Sequence, residues 1–151
     1  MQQEAHLTIE ESKKITAGWI SQYFHSTFNS IKRGVSILIR KGISFSHKTT
    51  ITDPDGCFTI INGYIGKYSI TIANIYGPNT DKPSFFHSVF VELSNFPNAS
   101  IILGGNFNTV LNPQLDRSNI GIKYKTNNSS ATITQYMEDY GLKDVWRLHI
   151  H

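Results

Sequence analysis

A chain of 151 residues with 39% hydrophobic and 12% aromatic content is long and apolar enough to build one cored domain. Only 17% of its residues are charged and the formal net charge is +3, which excludes charge-driven disorder and permits a polyanionic partner without requiring one. The single cysteine, Cys57, excludes an intrachain disulfide and suits a reducing compartment, the cytosol or nucleus.

In chain order, Thr8-Ile9-Glu10-Glu11 is a capping-box pattern that predicts a short helix to about Ala17, ended by Gly18. Residues from Gly18 to Phe28 are rich in aromatic and β-compatible types and predict a strand followed by a loop. Lys32-Arg33-Gly34 predicts a turn, and Val35-Ser36-Ile37-Leu38-Ile39 a largely buried strand. Thr49-Thr50-Ile51-Thr52 leads into Asp53-Pro54-Asp55-Gly56, a turn in which Pro fixes φ and Gly permits φ > 0. Phe58 to Tyr64 and Tyr68 to Tyr76 predict two more strands around a tight Gly66-Lys67 turn, giving an antiparallel meander.

Residues 77–82 read as a loop. Pro83 suits the first turn of a helix with Asp81 or Ser84 near its cap. Phe86, Val89, Phe90 and Leu93 recur at helical spacing, and Pro97 closes that helix. Ile101-Ile102-Leu103 predicts a short, buried, fully apolar strand running directly into Gly104-Gly105-Asn106-Phe107-Asn108. Residues 111–129 predict an irregular loop, Ser130 to Tyr140 a helix stopped by Gly141, and Leu142 to His151 an apolar, aromatic tail. Interleaved strands and helices predict a layered α/β (α+β) domain spanning 1–151. The N-terminus has no apolar signal core, and no run of about 18 apolar residues exists, so no membrane partner is expected. The N-x-S sequons at Asn98, Asn127 and Asn128 read as chance matches in an Asn-rich chain.

The segment from Ile101 to Asn108 carries the most chemical information. Polar groups at the C-terminal end of an apolar strand, behind two glycines, lie where sites form in layered α/β folds. The alternative is an ordinary Gly-Asn turn after a strand. Gly105-Asn106-Phe107-Asn108 resembles the Gly-Asp-Phe-Asn motif of the endonuclease/exonuclease/phosphatase superfamily. Further segments resemble landmarks of its LINE-type (non-LTR) retrotransposon branch: Gln3-Glu4-Ala5-His6, Arg33-Gly34-Val35, Asn74-Ile75-Tyr76-Gly77-Pro78-Asn79, Leu115-Asp116-Arg117-Ser118 and Asp144-Val145-Trp146-Arg147. Each motif alone is weak. Their order and coverage of nearly the whole chain make the set specific.

The resemblance implies a layered β-sandwich flanked by helices and a DNA endonuclease that hydrolyses phosphodiesters with bound Mg²⁺. Such a cation needs carboxylate ligands and positions open to phosphate and water. Glu4 matches the metal-binding glutamate; without the resemblance it reads as a surface carboxylate before a helix. His6 reads as a packing or hydrogen-bonding residue, since oxygen ligands suit Mg²⁺ better than imidazole. Tyr76 matches a tyrosine near the scissile phosphate, and an aromatic half in the core is the competing reading. Asn108 matches a phosphate-contacting amide. Arg117 and Asn79 are candidate nucleic-acid contacts, although Arg117 pairs as readily with Asp116. Trp146 and Arg147 are expected to brace the site. DNA is the expected partner, with no small-molecule cofactor.

Three departures point to a degenerate enzyme. Position 106 is Asn where the family has the Asp that orients or deprotonates the attacking water. An amide NH₂ cannot accept that proton, and such a contribution is worth roughly 10²–10⁴ in rate. The family also begins with a strand that precedes the glutamate, whereas three residues precede Glu4 here. It ends with an Asp-His pair beyond the Trp-Arg landmark, a context that neither His149 nor His151 reproduces. An incomplete fold, truncated at both ends, with association through unpaired strand edges, is therefore expected. A non-catalytic DNA-binding remnant, a retrotransposon fossil without selected function, and the phosphatase or phospholipase branches are the alternative readings. The Leu-Asp-Arg-Ser and Tyr-Gly-Pro-Asn segments count against the last.

Overall fold

The computed structural model describes residues 2–3, 18–29, 32–111 and 127–148. The predicted helix from Thr8 to Ala17, and the landmarks at Glu4, His6 and 115–118, lie outside the described residues. The described strands are β1 (Gln2–Gln3), β2 (Ile20–Asn29), β3 (Lys32–Arg40), β4 (Phe45–Thr52), β5 (Phe58–Ile65), β6 (Tyr68–Tyr76) and β7 (Ser100–Asn106). Helix α1 (Pro83–Leu93) lies between β6 and β7, and α2 (Asn128–Asp139) and α3 (Val145–Leu148) follow. The strands form a three-stranded sheet, β1-β3-β2, and a four-stranded sheet, β4-β5-β6-β7.

The turn chemistry of residues 53–68 sets the larger sheet. Asp53 bends the chain: its carboxylate accepts from the Cys57 amide at 2.8 Å, its carbonyl accepts from Gly56 at 3.0 Å, and Gly56 takes φ +68°. β5 returns along β4, and the tight turn at Gly66-Lys67 brings β6 back with Ile65 opposite Tyr68 and Phe58 opposite Ile75. β4 begins at Phe45, four residues before the Thr-rich run that signals it, because Ser46, His47 and Lys48 are polar and exposed on a sheet edge. Lys32-Arg33-Gly34 is the start of β3 and not a turn, since Asn29 already pairs with Lys32. The predicted meander is observed as β4-β5-β6 within one sheet, while β2 and β3 belong to the other.

The four-stranded sheet is the middle layer. On one face, Ile61 packs with Ile37 and Ile39 of β3 and with Phe45, with Phe24, Ile65 and Ile72 against them. On the other, Phe58, Ile60, Ala73 and Ile75 meet Val89, Phe90 and Leu93 of α1, with Tyr136 of α2 and its C-cap Tyr140 against them. Phe90 stacks on Tyr136 with ring centroids 4.3 Å apart. The helical spacing of Phe86, Val89, Phe90 and Leu93 therefore marks a truly buried face.

β7 pairs with β6 in parallel, through the α1 crossover, from Ile70↔Ser100 to Tyr76↔Asn106. It is longer and less buried than its apolar sequence suggests. Ile101 and Leu103 are half-buried, and Ile102 is 51% exposed on the outer strand of the described sheet. The strand runs through both glycines to Asn106.

Candidate functional site

One end of the sandwich is defined by the C-terminal ends of β6 and β7 and the N-terminal end of β3. Two hydrogen bonds tie the sheets there. The fully buried Asn74 donates its amide to the Ser36 carbonyl at 2.9 Å, and the Ser26 hydroxyl donates to the Asp53 carbonyl at 3.1 Å. A buried polar group needs such partners, so these bonds fix the relative position of the layers just below the site.

Tyr76 is the last residue of β6, and its amide donates to the Cys57 carbonyl at 2.7 Å. It is half-buried and paired in register with Asn106. The next peptide extends the parallel ladder, because the Gly77 amide donates to the Asn106 carbonyl at 2.7 Å. Two glycines permit this close approach. Gly105 takes φ +138°, a conformation that side chains with a Cβ rarely adopt, and a Cβ there would overlap the Ile75 backbone. A Cβ on Gly77 would overlap the Phe107 backbone.

Asn106 and Asn108 are joined by the loop itself. The Asn106 side-chain oxygen accepts from the Asn108 amide at 3.0 Å, while the Asn108 side-chain amide donates to the Gly77 carbonyl at 2.7 Å. Asn108 takes φ +49°, a left-handed conformation that Asn tolerates better than most residues. The first bond orients the Asn106 amide: its oxygen faces the Asn108 backbone donor, and its NH₂ group points away from that bond. Asp at this position could make the same bond and would present a second oxygen in place of the NH₂.

The surrounding loops are held by the N-terminus of α2. Asn127 caps the helix by accepting from the Ser130 amide at 2.7 Å, and accepts from the Thr109 hydroxyl at 3.0 Å. Asp81, expected near the cap of α1, instead serves α2. Its carboxylate accepts from the Ser129 hydroxyl and amide at 2.7 and 2.8 Å and from the Asn128 amide at 3.0 Å. The Ser129 hydroxyl, together with the Ser129 and Asn128 amides, holds the Asp81 carboxyl below its ordinary range. The N-cap of α1 is Lys82, which makes no side-chain cap bond. Helix α2 starts at Asn128, two residues before the predicted Ser130. The pattern Asn127-x-x-Ser130 was the available signal for it.

Among the predicted site residues, the structure thus brings Tyr76, Asn106 and Asn108 together. Asn79 is exposed in the loop three residues beyond Tyr76. Glu4 and Arg117 lie outside the described residues, although Gln3 pairs with Val35 at this same end. No group of three His, Cys, Asp or Glu side chains able to hold a metal ion occurs among the described residues. Among the described residues, the groups gathered around Tyr76, Asn106 and Asn108, chiefly side-chain amides and backbone carbonyls, do not by themselves fit the carboxylate-rich shell of a hard divalent cation. The side-chain NH₂ groups of Asn106 and Asn108 offer hydrogen-bond donors for an anionic oxygen. No described helix is long and apolar enough to cross a membrane.

A second polar cluster lies on the outer face of the three-stranded sheet, unforeseen from the sequence. His25 Nδ1 is 2.8 Å from the Ser36 hydroxyl, and the ring stacks on Tyr23. Burial pushes the His25 pKa below its ordinary value, partly opposed by a hydrogen bond with the Val35 backbone.

No protein-family model matches the chain. Two crystal structures of TDP2 from Caenorhabditis elegans, one of them of the selenomethionine protein, are similar to it. Their TM-scores are 0.52 and 0.51 at 15% identity, over 68% of this chain and 35% and 34% of theirs. The chain therefore spans about a third of the length of the structures it matches. At that identity the likeness concerns the fold, a mixed α+β arrangement shared with part of those structures.

Proposed function

We propose that the chain is a LINE-type retrotransposon endonuclease domain that engages DNA at the end of the sandwich formed by Tyr76, Asn79, Asn106 and Asn108. Phosphodiester hydrolysis there is lost or severely impaired. The fold likeness supports the nuclease part of this reading, and the ordered motifs support its retrotransposon branch. One observation carries the loss of catalysis. The Asn106 side-chain oxygen accepts from the Asn108 amide, and the group left over is an NH₂ donor that cannot take a proton from water. Glu4 as a Mg²⁺ ligand and Arg117 as a backbone contact belong to the same proposal.

Asn106 also supports the second reading, binding without cleavage. The Asn106 NH₂ and the remaining Asn108 amide proton can both donate to a phosphate oxygen. The test is Mg²⁺-dependent nicking of supercoiled plasmid by the chain, Asn106→Asp and Glu4→Ala. The expected result is no nicking by the chain and a gain of roughly 10² or more in Asn106→Asp. Nicking by the unaltered chain that Glu4→Ala abolishes would overturn the claim of inactivity. Salt-sensitive DNA binding without nicking in any variant would favour the binding reading.

A further inference from the structure

Charge is unevenly distributed along the β-rich half of the chain. Residues 18–52 and 58–76 contain no Asp or Glu and carry Lys32, Arg33, Arg40, Lys41, Lys48 and Lys67. The intervening acids, Asp53 and Asp55, sit in the turn at the candidate-site end. At the opposite end of the sandwich, where β7 also begins, the β3–β4 connection and the β5–β6 turn each carry a cation, Lys41 and Lys67.

The pairing draws these two turns together. The Lys41 amide donates to the Trp19 carbonyl at 2.8 Å, and Arg40 pairs with Ile20, so the entry to β2 lies beside the exit from β3. The chain then crosses to Phe45, which pairs with Ile65, which pairs with Tyr68. Two strand spacings, about 10 Å, separate Phe45 from Tyr68. The Gln22 side chain bonds the Phe45 carbonyl at 2.7 Å and locks the two sheets here.

Two large aromatics are open to solvent at this end, Trp19 at 59% and Tyr68 at 64% exposure, and the Lys67 ammonium lies 5.5 Å from the Tyr68 ring centre. Arg40, Lys41 and Lys67 are exposed as well. Burying these rings would have been the default for a folding core. Cations that track a phosphate chain, interleaved with exposed rings on which bases can stack, are the physical elements of a single-strand binding surface.

We propose that this end, comprising Trp19, Arg40, Lys41, Lys67 and Tyr68, binds single-stranded nucleic acid at a second surface remote from Asn106. Phosphates lie against the three cations, and bases stack on Trp19 and Tyr68. The surface is independent of metal and of position 106, so it stands or falls separately from the nuclease reading.

The test is fluorescence anisotropy of a labelled 15-nucleotide oligo(dT), titrated with the chain at several salt concentrations, with inorganic polyphosphate as competitor. Two double variants are compared, Lys41→Ala/Lys67→Ala and Trp19→Ala/Tyr68→Ala. All four positions are exposed, and matching thermal melts establish that the variants fold. The lysine variant is expected to weaken binding and to lower the log-log salt slope by about 1.4, two released counterions on a single strand. The aromatic variant is expected to weaken oligo(dT) binding roughly tenfold or more while leaving polyphosphate binding unchanged. No oligo(dT) binding by the chain, or unchanged affinity in the lysine variant, overturns the proposal. So does unchanged affinity in the aromatic variant, which would mark a generic polyanion patch.

Discussion

Replacing Gly105 with alanine tests the geometry that brings β6 and β7 together at the candidate site. The new Cβ would overlap the backbone N, C and O of Ile75, and backbone in a sheet cannot step aside as a side-chain tip can. The register Ile75↔Gly105 must open, with a loss of about two ladder hydrogen bonds at about 1 kcal/mol each. Alanine must also hold φ +138°, a glycine region that costs roughly 1–3 kcal/mol. The sum is roughly 3–5 kcal/mol, a large part of the roughly 5–15 kcal/mol that holds a typical domain folded. Gly66 supplies the control: its φ is +59° and no atom lies within 4 Å of an added Cβ. Gly66→Ala therefore carries only the backbone term, roughly 1–2 kcal/mol. Urea denaturation of both variants gives the comparison, and amide exchange of Gly77, whose N–H is bonded to Asn106, should accelerate in Gly105→Ala alone. Equal destabilisation by the two substitutions would refute the reasoning.

Asn74→Ala should destabilise by about 1–3 kcal/mol, because the Ser36 carbonyl loses a buried donor; urea midpoints measure this. The pH dependence of stability should carry two separable contributions. The His25 pKa is lowered from 6.5 by burial, so its contribution is complete above pH 6.5 and lost as pH falls from there through the folded-state pKa, and His25→Gln should flatten that slope. The Asp81 carboxyl is likewise lowered, from 3.8 by the Ser129 and Asn128 donors, so its contribution is full above 3.8 and lost as pH falls through the lower folded value; Asp81→Asn should remove that acid limb in pH-resolved denaturation. Ile102→Lys should change stability by less than about 0.5 kcal/mol, since the side chain is half exposed. It should reduce association through the β7 edge in analytical ultracentrifugation.

The parts of the fold that were legible in the sequence are those fixed by local chemistry. The Asp-Pro-Asp-Gly and Gly-Lys turns define β5 and β6 because backbone preference and side-chain bonding act within a few residues. The buried face of α1 follows from its spacing. What escaped is tertiary. Asp81 stands where it could cap α1, yet it bonds the backbone of a helix 47 and 48 residues later, a choice that spacing cannot reveal. The apolarity of Ile101-Ile102-Leu103 suggested burial, but whether an apolar strand has neighbours on both sides is a property of the sheet order. The assignment of β2 and β3 to a separate sheet is hidden for the same reason. At the site, Tyr76, Asn106 and Asn108 were legible only through motif resemblance, while the bond from the Asn108 amide to the Asn106 oxygen depends on the backbone path of the loop.

The two pairings of β6 differ in how far the chain must travel to make them. Ile65 meets Tyr68 across a tight turn, whereas Ile75 meets Gly105, thirty positions later in the chain, only after the segment containing α1 has closed. Closing that loop costs chain entropy before any contact repays it, so hairpins form early and parallel pairs late. The β4–β6 meander is thus expected to form before the juncture of Tyr76 with Asn106. A chain that stalls short of completion retains its meander and lacks the candidate site. Substitutions in β7 should therefore act chiefly on the rate of unfolding, and those in the β5–β6 hairpin on the rate of folding.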